Sequence, residues 1–178
     1  LARSAWYAQN VAAEMGVGPQ EQELIEKAAL LHDVGMLAVP DGILHKPGSL
    51  SDEEKAIVRT HPTVGAKIVS RGAVLEGAAP IVAHHHEHYD GSGYPDGLSG
   101  DAIPLISRII LVSDAVDAMT TERSYRSVIS LQEALEELHR CSGRQFDKRV
   151  VDAFTTIVNR KGLQALHWSQ IKRQAHHT

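Results

Sequence analysis

Residues 78–95 read AAPIVAHHHEHYDGSGYP, a short apolar run followed by a group of histidines and a Gly-rich segment. The apolar spacing predicts a helix over 78–87, in which His85 and His86 each follow an apolar residue by one turn. Both imidazoles then continue the buried face of that helix. Residues 90–100 hold four glycines and one proline, which predicts a structured loop of the kind that usually serves function. The stretch therefore predicts two buried imidazoles beside a functional loop.

The other polar residues of this stretch have weaker interpretations. Glu87 is placed to orient a neighbouring imidazole by a hydrogen bond, or to relay a proton. His84 and His88 are expected to be solvated or packed against the loop.

Upstream of this stretch, two more histidines stand at expected helix ends. His32 and Asp33 follow an apolar helix face, and His61 precedes Pro62. Taken alone, the His32–Asp33 pair fits a structural cap as well as a metal site, and His61 fits a hydrogen-bonded structural histidine. A neutral imidazole beside a carboxylate also suits a divalent cation, and one Asp can bridge two cations.

Downstream, two acidic residues enter an apolar helix. Asp114 follows Ile110 by one turn, and Asp117 follows three residues later. Acidic side chains seldom occupy an apolar stripe unless they cap, pair or bind a cation. Asp114 is therefore a candidate ligand, and Asp117 a candidate proton relay beside it.

The fold class predicted from the whole chain is all-α. The apolar periodicity is helical throughout, and no segment alternates with a period of two for long enough to predict a strand. Two capping boxes, Ser51 with Glu54 and Ser130 with Glu133, mark helix starts. We expect one domain over residues 1–178. Its helices are predicted at about 1–15, 19–33, 51–61, 63–70, 78–87, 104–121, 130–142 and 147–158, with a loop over 35–50.

Composition limits the classes of function. Of the 178 residues, 18 are Lys or Arg and 22 are Asp or Glu, and the net charge of −4 argues against a dedicated binder of nucleic acid polymers. No apolar run approaches the roughly 18 residues of a membrane span. A single cysteine, Cys141, excludes an intramolecular disulfide and favours a reducing, cytoplasmic location.

The candidate ligands come from four separate helices, at positions where the apolar periodicity points inward. They are His32, Asp33, His61, His85, His86 and Asp114. Because the set offers nitrogen and oxygen but no thiolate, it favours Fe or Mn, with Ni or Zn as alternatives. Two divalent ions about 3.5–4 Å apart would suit the hydrolysis of phosphate esters.

These residues resemble the HD superfamily of metal-dependent phosphohydrolases. The run HHEHYDGSGYP at 85–95 is similar to the signature of its HD-GYP subfamily, and LHDVG at 31–35 and THP at 60–62 read like the same family. The likeness covers about residues 3–158. It implies an HD-domain helical bundle with C-terminal helices and a long loop that contains Gly-Tyr-Pro.

The resemblance also implies an activity, the hydrolysis of the bacterial messenger cyclic di-GMP to linear pGpG and in some members to GMP. The six candidate ligands match the family's metal ligands, and Asp33 and Asp114 match bridging, catalytic positions. Gly93 and Tyr94 match the loop that lines the nucleotide pocket. Arg123 and Arg126 match cationic positions that contact substrate, although without the resemblance two solvated arginines explain them equally well.

Two departures from the family pattern bear on activity. Met36 stands where the family usually has a Lys close to the metals, so one cation for the scissile phosphate is lost. Members with three metals also use a Glu and a His of the first helix, and that His would fall just before Leu1. The sequence therefore predicts a centre of two metals.

Three functions remain open from the sequence. The first is a cyclic di-GMP phosphodiesterase, the second a weakened sensor that binds a cyclic dinucleotide or a protein without turnover. The third is a hydrolase of another cyclic nucleotide such as cyclic GMP-AMP. The chain does not begin with Met, so we expect a piece of a longer signalling protein with an N-terminal receiver or sensory domain. A homodimer or a GGDEF-type partner is also expected.

Overall fold

The computed structural model describes residues 2–121 and 128–161, and these ranges contain helices and turns but no strand. The all-α prediction is therefore confirmed for this part of the chain. The α-helices are α1 Ala2–Glu14, α2 Pro19–Leu31, α3 Asp41–Leu44, α4 Asp52–Val58, α5 His61–Val69, α6 Ala79–Ala83, α7 Leu105–Met119, α8 Leu131–Arg140 and α9 Lys148–Lys161. Three 3-10 turns cover Val34–Ala38, Ala73–Ala78 and Gly100–Ala102.

The core forms around α1 and α7. Helix α1 packs against α2, α7 and α9, and its small residues Ala8, Val11 and Ala12 are fully buried, which lets these helices approach closely. Helix α7 is buried over most of its length, from Ile106 to Met119, because other helices surround it. A helix that is apolar almost all round belongs inside a domain.

A second contact brings the candidate ligands together. The 3-10 turn Val34–Ala38 and helix α6 both pack against α5. At the first of these contacts Gly35 is obligatory, since a Cβ there would overlap the His61 carbonyl oxygen and lie 2.6 Å from the nitrogen of Gly65. The chain after α2 thus lies directly against the start of α5.

Several predicted helix ends are wrong by a few residues. Helix α2 ends at Leu31 rather than at Asp33, and α4 ends at Val58, so that His61 begins α5 instead of closing the preceding helix. Helix α6 stops at Ala83 rather than at Glu87. The predicted loop over 35–50 also contains a 3-10 turn and the short helix α3.

The predicted helix starts are better placed. The structure forms both capping boxes, with the Ser51 and Ser130 hydroxyl groups accepting hydrogen bonds from the backbone of Glu54 and Glu133. Asp147 caps α9, because its Oδ1 accepts a hydrogen bond from the backbone nitrogen of Arg149 at 2.9 Å. Among the described residues, no helix has the length and apolar character needed to cross a membrane.

Candidate metal centre

Three histidines each follow the end of a helix and bond back to it. The Nδ1 atoms of His32, His61 and His85 lie 2.8, 2.7 and 2.7 Å from the carbonyl oxygens of the residues three positions earlier. Those carbonyls belong to the last turns of α2, α4 and α6, where the helix offers them no partner of its own. Because a carbonyl only accepts, Nδ1 carries the proton, and in a neutral ring Nε2 presents its lone pair.

These lone pairs converge. The Nε2 atoms of His61 and His85 are 3.3 Å apart, and neither neutral ring has a proton to place between them. Nε2 of His32 is buried and has no hydrogen-bond partner among the described residues. Lone pairs that face one another in a buried space call for a positive charge between them.

Two carboxylates complete the cluster. Asp33 approaches three imidazoles, with oxygen–Nε2 distances of 3.2 Å to His32, 3.4 Å to His61 and 3.9 Å to His85. Asp114, on α7, lies 3.7 Å from Nε2 of His32. Five of the six predicted ligands are therefore joined by direct approaches, from α2, α5, α6 and α7 or the turns after them.

The sixth residue, His86, lies against the same cluster. Its ring centre is 4.2 Å from that of His85 and 5.0 Å from that of His61. Ligand atoms of Asp33, His61, His85 and His86 all lie within 4.8 Å of one another. A nitrogen and oxygen donor set this close fits a divalent metal ion.

The electrostatics of the cluster suit a cation. Burial alone would raise the pKa of Asp33, but the close approach of His32 and His61 holds that pKa far below its usual range, so the side chain is a carboxylate. Burial would likewise lower the pKa of His32, yet Asp114 and Asp33 outweigh it and raise that pKa to about 10. The carboxylates thus require positive charge at Nε2 of His32, from a proton or from a metal ion.

His85 and His86 are poised as neutral ligands. Burial, reinforced by the neighbouring His86, lowers the pKa of His85 well below its usual value. Burial and His61 lower the pKa of His86 to about 4. At neutral pH neither ring needs to release a proton before it binds a metal ion.

The Gly-Tyr-Pro loop forms one side of the cluster. The Tyr94 ring stacks on that of His86 with centres 4.9 Å apart and an interplanar angle of 21°. Gly93 lies so close to the preceding chain that a Cβ would come 2.5 Å from the His86 carbonyl oxygen and 2.6 Å from Cα of Glu87. The loop is therefore fixed directly to the segment that carries the candidate ligands His85 and His86.

Sequence reasoning did not assign a role to Arg59, which lies at this loop. Its guanidinium carbon is 5.3 Å from the centre of the Tyr94 ring, a cation–π contact at the exposed end of α4. The only signal in the sequence was its position two residues before His61. That spacing does not predict contact with a tyrosine 35 residues further along the chain.

Two residues predicted to support the ligands have other contacts. Glu87 is buried, but its Oε1 accepts a hydrogen bond from the backbone nitrogen of Asp96, and the histidine it approaches is His84, at 3.6 Å. Asp117 pairs with Arg3 of α1, which also bonds the Asp117 carbonyl oxygen at 2.7 Å. Glu87 thus anchors the loop, and Asp117 joins α1 to α7. Arg123 and Arg126 lie outside the described residues.

His84 and His88 lie against the loop, as the sequence predicted. His84 packs against the loop near Glu87 and Asp96, and His88 approaches the Ser92 hydroxyl group at 3.0 Å. Neither belongs to the converging set.

Several named proteins are similar in sequence to this chain. The cyclic di-GMP phosphodiesterase response regulator RpfG of Xanthomonas campestris pv. campestris is 43% identical over 86% of this chain and 41% of its own length. A cyclic di-GMP phosphodiesterase of Thermotoga maritima is 42% identical over 87% and 43%. A 3′3′-cGAMP-specific phosphodiesterase of Vibrio cholerae is 41% identical over 84% and 29%. The chain spans less than half the length of these relatives.

Solved structures support the fold. A cyclic GMP-AMP-specific phosphodiesterase of V. cholerae aligns with a TM-score of 0.75 at 22% identity, covering 97% of this chain and 47% of that one. An HDGYP protein of Bdellovibrio bacteriovorus aligns with a TM-score of 0.70 at 21% identity, covering 89% and 51%. The model of the HD domain family matches residues 1–150. With its converging His and Asp residues and its helical bundle, this chain belongs to the HD domain family.

Proposed function

We propose that this chain is the catalytic HD-GYP domain of a phosphodiesterase that hydrolyses cyclic di-GMP to linear pGpG, and in a second step to GMP. The observation that carries the proposal is the convergence of three Nε2 atoms on Asp33 beside the Tyr94 ring. The names of the relatives supply the substrate class.

The metal ligands in this proposal are the six residues of the cluster, His32, Asp33, His61, His85, His86 and Asp114. Two divalent transition-metal ions, Fe or Mn, fit a donor set with carboxylates and imidazoles but no thiolate. When bound, such ions supply charge neutralisation for phosphoryl oxygens and a nucleophile at neutral pH. Asp33 and Asp114 would contribute the negative charge that holds these ions.

The remaining residues bind and orient the substrate. Tyr94 offers a ring edge and a hydroxyl group at the border of the cluster. Gly93 leaves the loop free to lie against the ligand segment, and Arg123 and Arg126 supply cations for the phosphates or the guanines. Met36 offers no charge at its position, so the guanidinium groups carry more of the phosphate binding.

A second candidate substrate is 3′3′-cyclic GMP-AMP, because three V. cholerae relatives at 37–41% identity bear that specificity in their names. Both substrates are cyclic dinucleotides with the same pair of phosphodiester links. The two differ in one purine, so the contacts that separate them involve the base.

Product analysis tests the proposal. Protein loaded with Mn²⁺, or with Fe²⁺ under anaerobic conditions, is incubated with each dinucleotide, and the products are separated by chromatography. We expect pGpG from cyclic di-GMP, loss of turnover in His85→Gln, and unchanged turnover in His45→Gln, which alters an exposed histidine.

Two results would contradict the proposal. Tight binding of cyclic di-GMP without linear product would indicate a sensor. Linear product from cyclic GMP-AMP alone would move the specificity to that substrate. The receiver or sensory domain, a homodimer, a GGDEF-type partner and the cytoplasmic location stay predictions.

A further inference from the structure

A second group of possible ligands lies beneath the Gly-Tyr-Pro loop. It consists of His84 in the turn after α6, Glu87 three residues later, and Asp96 just beyond Pro95. None of the three belongs to the converging cluster. A suitable atom of each lies within 4.8 Å of the others.

The distances in this group are too long for hydrogen bonds. Nδ1 of His84 is 3.6 Å from Oε1 of Glu87 and 3.8 Å from Oδ2 of Asp96. Ligands about 2.0–2.1 Å from a tetrahedral ion are separated from each other by about 3.3 Å. The His84 nitrogen is therefore within about half an ångström of the separation from each carboxylate oxygen that a shared ion requires.

The only possible cation that approaches the buried side chain of Glu87 among the described residues is His84, at 3.6 Å. The Glu87 side chain is 0% exposed, its Oε2 has no hydrogen-bond partner among the described residues, and Nδ1 of His84 is likewise buried without one. Within residues 2–121 and 128–161, Glu87 makes no ion pair with a Lys or an Arg. A buried carboxylate is costly unless a cation or several hydrogen bonds compensate it.

We propose that His84, Glu87 and Asp96 bind one divalent metal ion, separate from the ions of the main cluster. One imidazole and two carboxylates form a donor set that zinc accepts, with water in the fourth position. Asp96 is 63% exposed, so the ion has a route from solvent. The ion would cross-link the turn after α6 to the chain beyond Pro95.

The segment between Glu87 and Asp96 carries the Tyr94 ring. Glu87 Oε1 already accepts a hydrogen bond from the Asp96 nitrogen at 2.8 Å, and Tyr94 donates its backbone N–H to the His86 carbonyl oxygen at 3.2 Å. An ion at this site would add a third, charged link across the same loop. Its role is to hold the Tyr94 ring on His86.

Counting bound zinc tests the proposal. The whole chain is stripped with a chelator, dialysed against buffered Zn²⁺, and analysed for metal per chain by mass spectrometry. We expect Asp96→Asn and His84→Gln each to bind one zinc ion fewer than the wild type. Asp90→Asn is the matched control, since Asp90 is an exposed acid of the same loop whose carboxylate bonds Ser92.

Equal zinc content in the wild type, Asp96→Asn and His84→Gln would overturn the proposal. His85→Gln reports separately on the main cluster, so a failure there would not be confused with a failure here. Far-UV circular dichroism confirms the fold of each variant, and Asp96 is exposed enough for its replacement to be tolerated.

Discussion

Asp33 lies between three imidazoles, and its charge is the main reason for a cation to bind there. We expect Asp33→Asn to bind Mn²⁺ at least about tenfold more weakly, because the amide keeps the size of the side chain but removes the charge. Equilibrium dialysis measures the affinity. Asp41→Asn, at the exposed start of α3, is the control and should bind like the wild type. Equal affinities in both variants would remove Asp33 from the ligand set.

Tyr94 allows the ring and the hydroxyl group to be tested separately. Burial raises the pKa of Tyr94 to about 12, so the hydroxyl group stays neutral over the working pH range. Tyr94→Phe keeps the stack on His86, whereas Tyr94→Ala removes it. Because such contacts are worth about 0.5–1.5 kcal/mol, we expect kcat/KM for cyclic di-GMP to fall about two- to tenfold more in the alanine variant. Equal losses in both variants would show that the ring does not contribute.

At the residue scale, the sequence predicted which side chains converge better than it predicted the contacts of Glu87 and Asp117. An imidazole or a carboxylate on an apolar face is a visible anomaly, which is how His85 and Asp114 were found. Glu87 and Asp117 sit at equally plausible spacings, but their partners are decided by tertiary contacts with Asp96 and Arg3. No local pattern predicts those contacts.

At the scale of elements, the centre depends on how closely the turn after α2 lies against α5. Gly35 permits that approach, and a Cβ at this position would meet the backbone of His61 and Gly65. We expect Gly35→Ala to destabilise the fold by about 1–3 kcal/mol through overpacking and to separate Asp33 from His61. Urea unfolding and metal binding measure the two effects.

Gly42→Ala is the matched control for Gly35→Ala. A Cβ at Gly42 meets nothing within 4 Å, and the residue lies in the short helix α3. Since alanine favours a helix over glycine, the stability of this variant should be unchanged or slightly higher. Equal losses in both alanine variants would contradict the proposed role of Gly35.

The misplaced helix ends have one physical cause. Periodicity continued the helices through His32, His61 and His85, but each of these side chains bonds the carbonyl three residues before it. That bond satisfies an unpaired group at the helix end, so the helix stops earlier. For His32 the capping and metal interpretations are therefore compatible, since Nδ1 serves the helix and Nε2 faces the cluster.

At the scale of the whole molecule, a buried ion pair joins α7 to the start of α9. Arg108 donates to Asp147 at 2.7 Å, and Arg149 and Asp101 extend the network. Burial alone would raise the pKa of Asp147, but Arg149 and Arg108 outweigh it and lower that pKa below its usual value. The charged form is therefore the one that stabilises the fold.

Because folding lowers the pKa of Asp147, the stability of the fold should depend on pH. The contribution of Asp147 is complete above the ordinary aspartate pKa, near 4, and is lost as the pH falls through the lower folded value. We expect Asp147→Asn to unfold about 2 kcal/mol more easily than the wild type at pH 7, with a smaller difference at pH 3. Urea titrations at both pH values measure this, and a difference that grows towards pH 3 would contradict the assignment.

Three histidines each bond a helix carbonyl through Nδ1 and face the cluster through Nε2, which matters when members of this family are compared. Mutations that abolish turnover still leave His32, His61 and His85 needed to bond the carbonyl groups at the ends of α2, α4 and α6. A degenerate copy would thus keep them long after its chemistry had gone. Asp33 and His86 have no such backbone bond among the described contacts, so their retention is the more telling mark of a working enzyme.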